Sequence, residues 1–122
     1  MPLRLVVHDD CDIEKSWITR CRKDGDLAAA ECGGEMVSHL KVLRRHGLPT
    51  HKRRSFAVNV APGIEIDVYV YRKTRAVMHV AVNDEVALVL TLQPHSRPID
   101  STNARIDAET RLLDWWQRYG KL

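Results

Sequence analysis

The sequence predicts one α+β domain, residues 1–122, with helices packed on one face of an antiparallel sheet. Its hydrophobic period changes from 3.6 to 2 near residue 55 and returns to 3.6 after residue 103. Between these points, four apolar segments follow one another through short turns such as "APG" and "NDE". The expected order is an N-terminal strand, two helices, an antiparallel β-meander of about four strands and a C-terminal helix. A chain of 122 residues can enclose a single hydrophobic core of this kind.

The first half of the chain predicts one strand and two helices. Leu3–Val7 is a short apolar run typical of a strand. In "DDCDIEKSWITRCRK" the acids come first and the basic residues last, an arrangement that the helix dipole favours. The second helical stretch, "LAAAECGGEMVSHLKVLRRHG", ends at Gly47, and Gly33–Gly34 are expected to kink it or split it in two. The first helix is expected to bury Ile13, Trp17, Ile18 and Cys21.

The second half predicts the sheet and a closing helix. Residues 55–60 and 64–71 alternate in polarity, as strands with one buried face do. Val77–Val82 and Val86–Leu92 are apolar almost throughout and are expected to be the central strands. The proline-containing segment 93–103 predicts a loop, and residues 104–119 predict the last helix. That helix is expected to bury Ile106, Leu112, Leu113 and Trp116.

Composition and motifs limit the classes of function. The longest apolar runs are far shorter than the ~20 residues that cross a bilayer, and the N-terminus does not resemble a signal peptide. Three cysteines without a C-x-x-C pair predict reduced thiols, so we expect a cytoplasmic protein with no membrane partner. The phosphate-binding, dinucleotide-binding, zinc-protease and serine-hydrolase motifs are missing, and we expect neither a cofactor nor a metal.

Positive charge is concentrated in the middle of the chain. The net charge is +3, and residues 36–64 hold six lysines or arginines and no acid, which favours contact with a phosphate backbone. The expected RNA-binding residues are His51, Lys52, Arg53, Arg54 and Arg72, with Tyr69 and Tyr71 as stacking surfaces for bases. On an open, concave sheet face these would be joined by Arg75, His79, His95 and Arg97. The alternatives are that the cations are merely solvated and that His79 is a neutral, hydrogen-bonded core histidine.

Several segments resemble, in order and spacing, the RelE/HigB/ParE superfamily of bacterial toxins. They are the helix end "LRRHGLP", the strand region "IDVYVYRKTRAVMHVAVNDEVALVLTLQPHSRP" and the closing helix "NARIDAETRLLDWW". The chain departs from the family pattern at Thr74, where an aromatic residue usually precedes the arginine, and at "PHSRP", which replaces two lysines. The resemblance implies a RelE-like fold.

The resemblance also implies a function. RelE- and HigB-like members cut mRNA on the ribosome without a metal, by attack of a ribose 2′-hydroxyl on the adjacent phosphate. The resemblance implies that the catalytic residues are His95, His79, Arg75 and Arg97. The implied partners are mRNA with the ribosome and a cognate antitoxin protein, and a homodimer is allowed. ParE-like members poison gyrase without cutting RNA, so a non-catalytic binding protein of the same fold stays an alternative, as does a small α+β domain with another role.

Overall fold

A computed structural model describes residues 2–48 and 54–122 of the chain. Strands and helices occur in the predicted overall order, as an α+β domain with an N-terminal strand, a helical segment, four consecutive strands and a C-terminal helix. The elements are β1 (Arg4–Val7), α1 (Asp9–Glu14), α2 (Ser16–Lys23), α3 (Leu27–His46), β2 (Arg54–Ala61), β3 (Ile64–Arg72), β4 (Ala76–Val82), β5 (Val86–Pro94) and α4 (Pro98–Tyr119). Within the described residues, no helix combines the length and the hydrophobicity that crossing a bilayer requires.

The five strands form one mixed sheet in the order β1-β5-β4-β3-β2. The predicted antiparallel meander is present, because β2 pairs with β3, β3 with β4 and β4 with β5, each pair antiparallel. β1 lies beyond β5 and pairs with it in parallel, with Arg4 opposite Val86 and Val7 opposite Val89. The two strands with nearly continuous apolar sequence, β4 and β5, are therefore interior strands, as predicted.

Helices cover both faces of the sheet, and the prediction that they pack on one face is wrong. Met78 and Val80 of β4 face a core formed with α1, α2 and α3. Ala81, on the opposite face, packs with Ala108 and Leu112 of α4. All seven residues of β4 are buried, because a strand covered on both sides cannot place alternate side chains in water.

α3 is one continuous helix, so the expectation that Gly33–Gly34 split it in two is wrong. Gly33 is buried where α3 crosses α2, and a Cβ there would lie 2.7 Å from Cγ1 of Ile18 and 3.1 Å from Cη2 of Trp17. Glycine at this position therefore lets the two helices approach closely. The predicted first helix is divided into α1 and α2 at Lys15, and Ile13, expected in the core, is exposed.

α4 begins at Pro98, so the predicted loop over 93–103 is wrong for its second half. Proline suits the first helical position because it lacks the N–H that would have no partner there. The buried side of α4 consists of residues at intervals of four, Ala104, Ala108 and Leu112. Ile106 and Leu113, expected to be buried, are exposed. The early start of α4 matters because it brings its first turns beside the ends of β3 and β5.

Candidate functional site

Two adjoining pockets lie where the N-terminal part of α4 meets the sheet. The first, here called the loop pocket, has a volume of about 600 Å³ and is lined by Arg72, Lys73, Thr74, His95, Ser96, Arg97 and Pro98. The second, here called the arginine pocket, has a volume of about 150 Å³ and is lined by Arg54, Phe56, Val70, Arg72, Val77, His79, Ser101 and Arg105. Arg72 lines both. None of the described residues lining either pocket is acidic.

His95 is held in the loop pocket by contacts on both ring nitrogens. Its backbone N–H donates to the carbonyl of Arg75 at 3.0 Å, which fixes the segment between β5 and α4. Ring Nδ1 lies 3.4 Å from the carbonyl oxygen of Thr74, and Nε2 lies 2.7 Å from Oγ of Ser101. A carbonyl only accepts, so the bond to Thr74 requires the proton on Nδ1 and leaves Nε2 as the acceptor from the Ser101 hydroxyl. This arrangement presents Nε2 as a base.

Ser101 was missed by the sequence analysis, which placed it in a loop. It lies in the first turns of α4, and its hydroxyl contacts both His95 and Nη1 of Arg72, the latter at 3.4 Å. The proline at the first helical position was the signal that could have placed it. Arg72, predicted to bind RNA, thus lies beside the predicted catalytic histidine.

Arg97 is held at the mouth of the loop pocket by an acid. Oδ2 of Asp100 accepts from the backbone N–H groups of Ser96 and Arg97, each at 2.9 Å. Oδ1 of Asp100 lies 3.1 Å from Nη2 of Arg97. The hydrogen bonds from these backbone groups, with that from the Arg97 side chain, lower the pKa of Asp100 to about 2. Part of the positive charge of Arg97 is consequently compensated within the protein.

His79 forms the floor of the arginine pocket. The ring is 2% exposed, and Nδ1 lies 2.8 Å from the hydroxyl of Thr91 on β5. Burial, assisted by the nearby charge of Arg105, lowers the pKa of His79 to about 4. The imidazole is therefore neutral at pH 7, as the alternative interpretation of this residue requires. The guanidinium of Arg105 lies 4.0 Å from the ring centroid of Phe56 and 3.3 Å from a carboxylate oxygen of Glu109.

Three of the predicted site residues belong to the other side of the sheet. Arg75 forms an ion pair with Asp26 at 2.9 Å, beside α3. Tyr69 is buried, with its hydroxyl 3.0 Å from Nε2 of His39, and the ring of Tyr71 stacks on that imidazole at 3.8 Å. The expectation of one open concave face shared by all these groups is wrong, because α3 and α4 cover opposite faces. Neither tyrosine faces the pockets that contain Arg72 and His95.

The basic run at the start of the sheet is described only at its last residue. Arg54 is exposed and lines the arginine pocket. His51, Lys52 and Arg53, also predicted to bind RNA, lie outside the described residues. The described basic groups of the two pockets therefore come from β2, β3, the turn between β3 and β4, the segment between β5 and α4, and α4 itself.

A larger groove of about 750 Å³ runs beside α3 on the other face of the sheet. Its lining mixes acids with bases, and Nζ of Lys73 pairs with Glu35 at 3.5 Å. Opposite charges in such an arrangement largely cancel, so this groove offers an anion less than the two pockets do.

Among residues 2–48 and 54–122, no group of three or more His, Cys, Asp or Glu side chains is placed to hold a metal ion. Comparison with known proteins found no match among family models, curated proteins or solved structures. The function is therefore inferred from the side chains of this chain.

Proposed function

We propose that this protein binds RNA and cleaves it as a metal-independent endoribonuclease of a toxin–antitoxin pair with a RelE-like fold. The observation that supports the proposal is the position of His95. Its Nε2 accepts from Ser101 in a pocket that also contains Arg72 and Arg97 and no described acidic lining residue. A base and cations around one open pocket suit transfer at a phosphodiester, where a hydroxyl loses its proton while charge grows on phosphate.

In the proposed reaction, a ribose 2′-hydroxyl takes the place of the Ser101 hydroxyl as donor to Nε2 of His95. His95 accepts that proton while the 2′-oxygen attacks the adjacent phosphorus and the 5′-oxygen leaves, taking a proton from solvent. The products are a 2′,3′-cyclic phosphate and a 5′-hydroxyl end. Arg72 stabilises the charge that develops on the phosphate oxygens. Ser101 is a positioning residue that holds the imidazole until the substrate hydroxyl replaces it, and the carbonyl of Thr74 accepts from Nδ1 throughout.

The test uses purified protein and an end-labelled RNA, with EDTA present. We expect cleavage that leaves a cyclic phosphate, and a loss of rate of about 10²–10⁴-fold in His95→Gln, as expected when a general base is removed. His46→Gln is the matched control, because His46 is exposed at the end of α3, remote from both pockets. Unchanged cleavage in His95→Gln would overturn the assignment of the base.

Binding is tested separately from cleavage. Arg72→Ala is expected to weaken RNA binding and to reduce the slope of log K against log salt by about 1, since one phosphate contact is lost. Ser101→Ala is expected to retain binding, to lower the cleavage rate and to shift its pH profile, because the imidazole loses one of its two fixing contacts. A salt slope unaffected by Arg72→Ala would place the RNA elsewhere on the protein.

A second candidate is a binding protein that cuts nothing, such as a gyrase poison. It is favoured by the pairing of two predicted catalytic cations, Arg97 with Asp100 and Arg75 with Asp26, which leaves fewer free charges for a transition state. Intact RNA after incubation, together with recovery of a topoisomerase in a pull-down, would support it. RNA cleavage that depends on His95 would exclude it.

The proposed partners follow from the same hypothesis. A cognate antitoxin would suppress growth arrest and cover the basic pockets, and it would be sought as the product of the adjacent gene. Growth that continues normally at high expression of the chain alone would count against a toxin. Sedimentation of the isolated protein would decide whether it forms a homodimer.

A further inference from the structure

The arginine pocket has more positive charge than its surroundings compensate. Of its three guanidinium groups, those of Arg54 and Arg72 have no carboxylate within 4.0 Å among the described residues, and Arg105 pairs with Glu109 alone. The two ring nitrogens of the buried His79 differ: Nδ1 contacts Thr91, whereas Nε2 has no hydrogen-bond partner in the described part of the chain. Guanidinium groups that lack a carboxylate partner around one cavity point to an anionic ligand.

The dimensions of the pocket match a single phosphate group. Its volume of about 150 Å³ is a quarter of that of the loop pocket and is large enough for one phosphate group. The sheet side of the cavity is apolar, formed by Phe56, Val70 and Val77, with His79 at the floor. The α4 side presents the hydroxyl of Ser101 and the guanidinium of Arg105.

We propose that the arginine pocket binds a phosphomonoester dianion at the end of an RNA chain, an inference that rests on the proposed function and names a second feature of its substrate. A phosphodiester within a chain carries one negative charge, whereas a phosphomonoester carries about −1.5 to −2 at pH 7. The additional negative charge of a phosphomonoester suits a pocket in which three arginines have Glu109 as their one acidic partner among the described residues. A small cavity also favours a phosphate at the end of an RNA chain, because an internal phosphodiester is joined to a nucleotide on each side and needs space for both.

The two pockets are joined by shared side chains. Arg72 lines both, and Ser101 lines the arginine pocket while its hydroxyl contacts His95 in the loop pocket. A terminal phosphate bound in the arginine pocket therefore contacts the same residues that orient the proposed base. It would fix the distance between the chain end and the cleaved bond.

The first experiment compares short 2′-O-methyl oligonucleotides, which cannot be cleaved by the proposed reaction, with three kinds of end: a 5′-phosphate, a 3′-phosphate, or hydroxyls at both ends. Fluorescence anisotropy is expected to show that one phosphorylated form binds the wild-type protein about tenfold more tightly than the hydroxyl form, as for one added charge-assisted contact. The phosphorylated form that gains affinity identifies the chain end.

Arg105→Gln and Arg54→Gln are each expected to remove that gain. Arg20→Gln is the control, since it removes the same charge from an exposed position on α2, where the Arg20 side chain contacts Ser16. Equal binding of all three oligonucleotides by the wild-type protein would overturn the inference, and so would a gain that both pocket variants retain. If RNA with hydroxyl ends is still bound and cut, the proposed function survives that result.

A second experiment needs no RNA. Inorganic phosphate is titrated into ¹⁵N-labelled protein, and saturable shifts are expected at the amides of Ser101 and Arg105, with loss of saturation in Arg54→Gln. Shifts without any RNA binding would overturn RNA as the source of the phosphate and, with it, the proposed function. Absence of saturable shifts in the wild-type protein would overturn the pocket as a phosphate site.

Discussion

His79 makes the stability of this fold depend on pH in a way that can be calculated from its surroundings. Its pKa is lowered from 6.5 to about 4, mainly by burial and further by the charge of Arg105. Between these values the unfolded chain binds a proton at this side chain and the folded protein does not, so protonation favours the unfolded state. The free energy of unfolding should therefore fall as the pH is lowered from 6.5 to 4. At about 1.4 kcal/mol per pKa unit, the total fall from this residue is roughly 3 kcal/mol.

The perturbation that isolates this contribution is His79→Asn, because asparagine keeps a polar atom near the position of Nδ1 for Thr91. Urea denaturation, followed by tryptophan fluorescence, would give the free energy of unfolding of both proteins at intervals between pH 7 and pH 4. The variant should be less stable at pH 7, and the gap should shrink by roughly 3 kcal/mol at pH 4.

Two other histidines with lowered pKa, His8 and His39, are common to both proteins and cancel from the difference. His46→Asn, at an exposed position at the end of α3, is the control for the loss of a histidine outside the core. A gap between wild type and His79→Asn that stays constant from pH 7 to pH 4 would refute the reasoning.

Three further predictions concern packing and pairing. Gly33→Ala should destabilise the protein by about 1–3 kcal/mol, because the added Cβ overpacks against Ile18. Gly34→Ala should stabilise it by up to about 1 kcal/mol, because a Cβ at that position meets open space. Urea denaturation measures the free energy of unfolding of both variants. Arg75→Ala should cost less than about 1 kcal/mol and should reduce RNA cleavage less than Arg72→Ala does, because its partly exposed pair with Asp26 is structural. Trp17→Phe should lower stability by about 1–3 kcal/mol in thermal denaturation, since the buried carbonyl of Leu92 loses its donor.

The sequence predicted the elements whose cause is local. The alternation in β2 and β3, the turns between the strands and the apolar run of β4 each depend on neighbouring residues, and they are where they were expected. The apolar sequence of β4, "AVMHVAV", also lacks the alternating polar positions of a strand with one solvent-facing side, and such a strand requires cover on both faces of the sheet. Helices on one face alone were inconsistent with it.

The remaining features depend on contacts between distant parts of the chain. The sequence of β1 alone does not indicate that β5 is its partner strand. The face of the sheet that α4 covers is determined by the packing of Ala108 and Leu112, not by the larger apolar residues of that helix. In β3, the alternating pattern places Tyr69 and Tyr71 at positions that were expected to face solvent. Both side chains instead contact His39, because α3 covers that face of the sheet. At the site, His95, Arg97 and Arg72 were predicted individually. The contact of His95 and Arg72 through Ser101 depends on where α4 begins.

The parallel pairing of β1 with β5 has a consequence for the order in which the protein is made. On the ribosome β1 emerges before the other four strands, yet the strand beside it is complete only when residue 94 has been added. Until then β1 has no partner strand, while β2, β3 and β4 can pair with their neighbours as they appear. His95 and Ser101 follow later still, and they meet only once α4 has begun. A nascent chain therefore lacks the proposed catalytic geometry until the first turns of α4 have been synthesised.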